Sequence, residues 1–336
     1  MLDWSATRLQ CDLDLAAEGR RIGDLRLRHS DNRQPLGYRP VPLGVLVNGT
    51  GPTVLLTGGV HGDEFEGPVA LMRLLHGLDL SALSGRLIVL PALNAPALMA
   101  SSRVSPLDGG NLNRAFPGDR DGGPTAMIAH FVEAVLLPHC DAAIDIHSGG
   151  LASVFAPAAL ATKTADAALA ARNLELAQAF GAPLIWRLGP LNDDRSLNAA
   201  AARKGVPMIA AELGGGGAAD PRLVRLAHDG ILRCLASLGC LASAPPAEHS
   251  PRLVEIRSPR QSLYAPVGGL FEPRFGPGQE VREGEVAGAL HAIAEPERPP
   301  TAVTFPCSGV VLARGNRCLV ERGELLASLV VDVEDR

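Results

Sequence analysis

Three short apolar runs constrain this chain more than any other feature: Thr53-Val54-Leu55-Leu56-Thr57, Ala142-Ala143-Ile144-Asp145-Ile146 and Val206-Pro207-Met208-Ile209-Ala210-Ala211. Each is nearly continuous in apolar character, without the alternation of a strand that faces water on one side. Each is followed within a few residues by paired or clustered glycines. Runs of this length and punctuation read as strands buried on both faces of a sheet. Between and around them lie segments of helical periodicity: Glu66–Leu78, Thr125–Leu137, Asp166–Phe180, Leu197–Lys204 and Pro221–Leu238. Strands alternating with such segments predict an α/β sheet with helices on both faces. In sheets of this kind, ligands gather at the carboxyl ends of the strands.

Those ends carry chemistry. His61 and Glu64 follow the first run in Gly58-Gly59-Val60-His61-Gly62-Asp63-Glu64. A spacing of three puts both side chains on one side of a helix start or of the loop leading into it. A lone H-x-x-E of this kind suits a capped helix start as well. The second run gives the pair more weight, because it ends in Asp145-Ile146-His147-Ser148-Gly149-Gly150. His61, Glu64 and His147 then supply the three protein ligands of a catalytic zinc ion. Asp145 points to the same side of its strand as His147 and could accept the other ring N–H. After the third run comes Glu212, ahead of Gly214 to Gly217. A carboxylate placed there suits a base acting on water; the plainer alternative is a partner for a buried arginine.

A fourth segment, Asn111-Leu112-Asn113-Arg114-Ala115-Phe116-Pro117-Gly118, lies in the Gly/Pro/Asp-rich loop from Ser105 to Pro124. Arg114 offers a planar fork of donors that matches a carboxylate, and Asn113 adds a neutral donor. Arg103, just upstream, is a second arginine suited to polarising a carbonyl. Either arginine could also be a solvated surface side chain.

Taken in order, H-x-x-E, N-L-N-R, D-I-H and E-x-G resemble the succinylglutamate desuccinylase/aspartoacylase family, a branch of the zinc carboxypeptidase-like fold. The resemblance spans roughly Val41 to Leu235. It implies a mixed sheet flanked by helices, and one Zn2+ held by His61, Glu64 and His147. It also implies Glu212 as base and later proton donor, Arg103 polarising the scissile amide, and Asn113 and Arg114 on an α-carboxylate. A further substrate arginine is implied before the catalytic strand; Arg195 is assigned to it here, with Arg187 as the competitor. The short segments are most similar to a bacterial branch of the family that includes deacetylases of Nα-acetyl-L-2,4-diaminobutyrate. Aspartoacylase itself draws a substrate tyrosine from its carboxy-terminal part. The only tyrosines here are Tyr38 and Tyr264, neither of them late in the chain, so recognition of aspartate is not expected. The implied activity is zinc-dependent hydrolysis of the amide of a small N-acyl amino acid. The alternative on the same scaffold is a metallocarboxypeptidase acting on short peptides. A crowded cleft, walled by the Ser105–Pro124 loop and the carboxy-terminal part, would favour the smaller substrate.

The rest of the chain is consistent with such an enzyme. Residues 1–242 are expected to form the hydrolase domain, and the Pro-rich stretch 243–251 a linker. Residues 252–336 change character to short alternating stretches with Gly and Pro turns, an all-β signature. Within them, Gly268-Gly269-Leu270 and Ser308-Gly309-Val310 open two weakly similar halves. These resemble a barrel-sandwich module of the lipoyl/biotinyl-carrier type, but the region holds no lysine to carry a cofactor arm. The net charge of −5 gives no electrostatic footprint for nucleic acid or anionic membrane. The expected partner is a small molecule, and the sequence leaves room for a homo-oligomer. No signal-peptide core interrupts the charged start of the chain, and six scattered cysteines without a C-x-x-C pair fit a reducing compartment. The expected location is the cytoplasm. No G-x-S-x-G occurs, which sets aside a serine esterase.

Overall fold

The structure is a computed structural model that describes residues 3–32, 35–189 and 192–333. Its first strands are β1 (Gly19–His29), β2 (Gly37–Asn48), β3 (Thr53–Gly58), β4 (Gly85–Leu90), β5 (Ala142–His147), β6 (Ser153–Thr162), β7 (Leu184–Leu188) and β8 (Met208–Gly215). The helices between them are α1 (Glu66–Gly77), α2 (Ala95–Met99), α3 (Pro124–His130), α4 (Ala167–Phe180), α5 (Leu197–Arg203) and α6 (Pro221–Ser237). The sheet runs β1-β2-β4-β3-β5-β8-β6-β7. Its centre, β4-β3-β5-β8, is parallel, and the flanking β1–β2, β2–β4 and β6–β8 pairings are antiparallel. The fold is therefore a mixed α/β sheet.

The continuous apolar character of the central strands has its cause in two cores. Successive side chains of a strand point to opposite faces. Leu55, Ile88 and Ala143 enter a core beneath the helical segment after Gly123. Val54, Leu56, Leu87 and Ile144 enter a second core beneath α1, α4 and α6. A polar residue on either face of β3, β4 or β5 would be buried, which is why these strands read as unbroken hydrophobic runs.

Helix boundaries follow from local chemistry. Asp166 caps α4 by accepting the backbone N–H groups of Ala168 and Leu169, and Gly181 ends the helix in the left-handed region at φ 74°. Asp220 caps α6, with Pro221 in its first turn. The segment expected over 125–137 starts as α3, widens to π geometry over Phe131–Leu136, and tightens to a 3-10 turn over Leu137–His139. Pro138, with no N–H to donate, marks its end.

The carboxy-terminal part is all-β: β9 (Arg252–Glu255), β10 (Ser262–Tyr264), β11 (Gly269–Pro273), β12 (Glu280–Val281), β13 (Val286–His291), β14 (Thr301–Thr304), β15 (Gly309–Gly315), β16 (Leu319–Val320) and β17 (Leu325–Asp332). Its strands join the main sheet. β9 pairs with β7, β17 with β9, β15 with β17, and β15 with β6. The five strands β6, β7, β9, β17 and β15 thus close a ring around Ala158, Leu184, Val254, Leu312 and Val330. The order β14-β13-β11-β16 forms a separate sheet. Asn316, just past β15, donates its side-chain amide to the carbonyl of Leu151 and its backbone N–H to that of Ala152. The carboxy-terminal strands thereby hold the turn that follows His147.

One glycine fixes how the first site loop packs. A Cβ at Gly62 would lie 2.0 Å from the Ala97 carbonyl carbon, because the loop crosses directly over α2. Gly62→Ala is expected to destabilise the chain by about 1–3 kcal/mol through overpacking against backbone that cannot yield, read as a lower urea midpoint.

Candidate active site

The parallel register brings the expected residues together. Thr57 of β3 lies opposite Asp145 of β5, and His147 of β5 lies opposite Glu212 of β8. His61 and Glu64 sit in the loop between β3 and α1. Sequence reading placed Glu212 at a strand end, but β8 continues through Gly215. Gly214 and Gly215 pair with Phe155 and Val154 of β6, so the glycines extend the strand instead of turning it.

The Glu64 carboxylate is the hub. Its Oε1 lies 2.7 Å from His61 Nδ1, and its Oε2 lies 2.8 Å from His147 Nδ1. The backbone N–H of Ser148 donates to Oε2 at 3.1 Å, and Arg103 Nη1 stands 3.5 Å from Oε1. His61, Glu64 and His147 are all buried, and one ligand atom from each falls within 4.8 Å of the others.

The outer ring nitrogens decide what this group can hold. Asn111 Oδ1 accepts the backbone N–H of Asn113 at 3.1 Å and is therefore an oxygen; it lies 3.2 Å from His61 Nε2. That nitrogen must donate. His147 Nε2 faces Asp145 Oδ2 at 2.7 Å, while Thr57 Oγ1 donates to Asp145 Oδ1 at 2.7 Å. Both Nδ1 atoms converge on the buried Glu64 carboxylate, and with each Nε2 facing an acceptor, loss of the Nδ1 protons would leave two nitrogen ligands beside one carboxylate. Two imidazoles and one carboxylate, each ring fixed by an acceptor behind it, form a donor set that suits a divalent metal such as zinc.

The electrostatics agree with that geometry. Burial opposes the charge on Glu64, but the His147 and His61 rings outweigh it and hold the carboxyl down at about 2. Burial likewise opposes a charged His147, yet Asp145 and Glu64 draw its pKa well above the ordinary histidine value. Burial keeps His61 below that value. Glu212 goes the other way: burial, and then the charge of Glu64, push its carboxyl up to about 8. Its Oε2 is out of contact with solvent and has no hydrogen-bond partner among the described residues. Among the described residues no buried arginine pairs with Glu212.

The 111–114 turn is stitched to the start of α5. Leu197 N–H donates to Asn113 Oδ1 at 3.0 Å, which leaves the Asn113 amide N–H groups to act as donors. Arg114 Nε lies 3.0 Å from Asp193 Oδ2, and Arg195 grips the same carboxylate with Nε and Nη2 at 3.0 and 2.9 Å. Arg187 is elsewhere: on β7, paired with Glu255 of β9 at 2.5 Å. Two contributors escaped the reading of the sequence: Asn111, which orients His61, and Thr57, which fixes Asp145. Of these only Asn111 carried a signal, its place in N-L-N-R. In the sequence Asp193, like Asp194, offers a carboxylate for an amino-bearing side chain or simply a solvated loop residue; in the structure it joins the two arginines.

Comparison with known proteins adds the relatives. Residues 50–238 match the model of the succinylglutamate desuccinylase/aspartoacylase catalytic domain. The chain is 35% identical over 328 residues to the N-alpha-acetyl-L-2,4-diaminobutyric acid deacetylase of Halomonas elongata, covering 97% of this chain and 96% of that protein. Among solved structures, a succinylglutamate desuccinylase/aspartoacylase from Rhodobacter sphaeroides superposes with a TM-score of 0.92 at 36% identity, covering 97% of this chain and all of that one. The product-bound ectoine utilization protein EutE (DoeB) of Ruegeria pomeroyi superposes with a TM-score of 0.92 at 34% identity, over 96% and 98% of the two chains. The strand-end histidines and carboxylates, the matched catalytic-domain model and these full-length likenesses lead to one conclusion: this chain belongs to the succinylglutamate desuccinylase/aspartoacylase family.

Proposed function

We propose that the chain is a zinc-dependent deacylase that cleaves the amide of a small N-acyl amino acid, with Nα-acetyl-2,4-diaminobutyrate as the specific substrate. The observation that carries the metal reading is the convergence of two Nδ1 atoms on buried Glu64, with both Nε2 atoms held from behind. When bound there, a divalent cation supplies Lewis-acid activation of water and of a carbonyl oxygen.

The protein's own groups carry the rest. Glu212, with an unpartnered oxygen directed into the site beside His147, takes the proton of the attacking water. It then delivers that proton to the amine nitrogen as the carbon–nitrogen bond breaks. Arg103, next to Glu64, offers donors to the carbonyl oxygen as negative charge gathers on it. Asn113 and Arg114 bind the α-carboxylate, and Arg195 reinforces them through Asp193. The carboxy-terminal strands, read as a barrel-sandwich module without an attachment lysine, serve as a wall that steadies the turn after His147. Among the described residues no helix is long and apolar enough to cross a membrane; the proposal places the reaction in the cytoplasm.

Asp145 keeps the His147 ring oriented and its Nε2 protonated. Asp145→Asn is expected to weaken zinc affinity about 10- to 100-fold, measured by competition with a chromophoric chelator; unchanged affinity would remove Asp145 from the account. The activity itself is tested by amine release from a panel of Nα-acetyl and Nα-succinyl amino acids beside short peptides. The proposal expects release from acylated amino acids. Loss of carboxy-terminal residues from peptides, with the acyl amino acids intact, would point to a carboxypeptidase instead.

A further inference from the structure

We propose that Asp193 is a built-in carboxylate that sets which side chains the substrate site accepts, favouring a monocarboxylate with a neutral or cationic side chain over a dicarboxylate. The inference rests on the reading of Asn113 and Arg114 as the ligands of the substrate carboxylate. Asp193 Oδ2 lies 3.0 Å from Arg114 Nε and 2.9 Å from Arg195 Nη2, and Oδ1 lies 3.0 Å from Arg195 Nε. Two guanidiniums thus share one carboxylate, and the cluster keeps a single net positive charge. One incoming carboxylate neutralises it. A second carboxylate, on the substrate's side chain, would meet Asp193 with like charge. An ammonium group would meet it with opposite charge.

The placement of the cluster connects it to the chemistry. Asn111 touches His61, Asn113 holds Leu197, and the Phe116 N–H donates to the Arg195 carbonyl at 3.2 Å. The arginine cluster is therefore fixed to the loop that leans on His61. Asp193 also staples its own turn, accepting the Arg195 backbone N–H at 2.9 Å with Oδ1 and the Ser196 N–H at 2.9 Å with its carbonyl. A staple alone would affect stability without affecting the choice of ligand, so selectivity is the property that separates the two roles.

The test is calorimetric binding of L-2,4-diaminobutyrate and L-aspartate to the intact chain. Neither amino acid contains an amide to cleave, so the readout is independent of turnover. Wild type is expected to prefer diaminobutyrate. Asp193→Asn is expected to move the affinity ratio toward aspartate by about tenfold or more, the scale of one unit charge a few ångströms away near a protein surface. Asp193→Glu should keep the wild-type preference and guards against a folding defect in the Asn variant. Asp194→Asn makes the same charge change at an exposed neighbour and should leave the ratio within about twofold. A ratio that shifts no more in Asp193→Asn than in Asp194→Asn overturns the inference. So does a wild type that prefers aspartate or binds neither amino acid. A chain that binds with the expected preference yet releases no amine from acylated amino acids keeps the inference and rejects the deacylase reading.

Discussion

Glu212→Gln is expected to lower kcat for amide hydrolysis by about 10³-fold while leaving zinc content and KM nearly unchanged. The proposed function uses this one side chain as base and then as acid, and general acid–base groups contribute about 10²–10⁴-fold. Gln is isosteric and cannot carry the proton either way. The stability of the variant separates this role from a structural one. Burial and the neighbouring charge of Glu64 push the Glu212 carboxyl up to about 8, and its Oε2 has no partner among the described residues. Folding gains nothing from ionising a group so placed, and the neutral amide of Gln matches the protonated carboxyl that the raised pKa favours near neutral pH. The urea midpoint should therefore hold or rise as kcat falls. A variant that loses activity and stability together, or one that keeps its kcat, would contradict the assignment.

His147→Ala is expected to abolish both metal retention and turnover, and to destabilise the chain by about 3–5 kcal/mol. The ring stands between two buried carboxylates, Glu64 at 2.8 Å and Asp145 at 2.7 Å. Removing it leaves both without their shared partner, and stripping one member from a buried charge network costs about that much. Metal analysis after dialysis and urea unfolding read the two effects separately. The metal-binding assignment would be rejected by a His147→Ala chain that keeps a full complement of metal. A loss of metal with no loss of stability would mean that the carboxylates find other partners.

How much of this was legible in the sequence follows from how local each feature is. The runs at 53–57 and 142–146 became β3 and β5 because strands buried on both faces carry an unbroken apolar signature. The helices near 166–180 and 221–238 were readable from periodicity, and the structure adds the Asp166 and Asp220 caps that start them. The closure of β6, β7, β9, β17 and β15 was not, since pairings such as Ala313 with Phe155 join residues far apart in the chain and leave no periodic trace. The end of β8 was misplaced for a related reason. Glycines read as a turn in isolation, but β6 supplies Gly214 and Gly215 with a pairing partner. Of the site, the histidines and carboxylates at strand ends were visible because the fold class says where such ends meet. Asn111 was not readable as functional, and Asp193 only as one of two acidic candidates for an amino-bearing side chain, because their contacts run across the loops: one with His61, the other with two arginines.

The central claim, a metal held by His61, Glu64 and His147 that drives amide cleavage, is tested most directly by one measurement. Metal content by mass spectrometry and amine release from Nα-acetyl-2,4-diaminobutyrate are followed on the same preparation before chelation, after it, and after zinc is restored. The account predicts about one zinc per chain, activity that disappears with the ion, and activity that returns with it. A metal-free chain that hydrolyses the substrate at the full rate would contradict it.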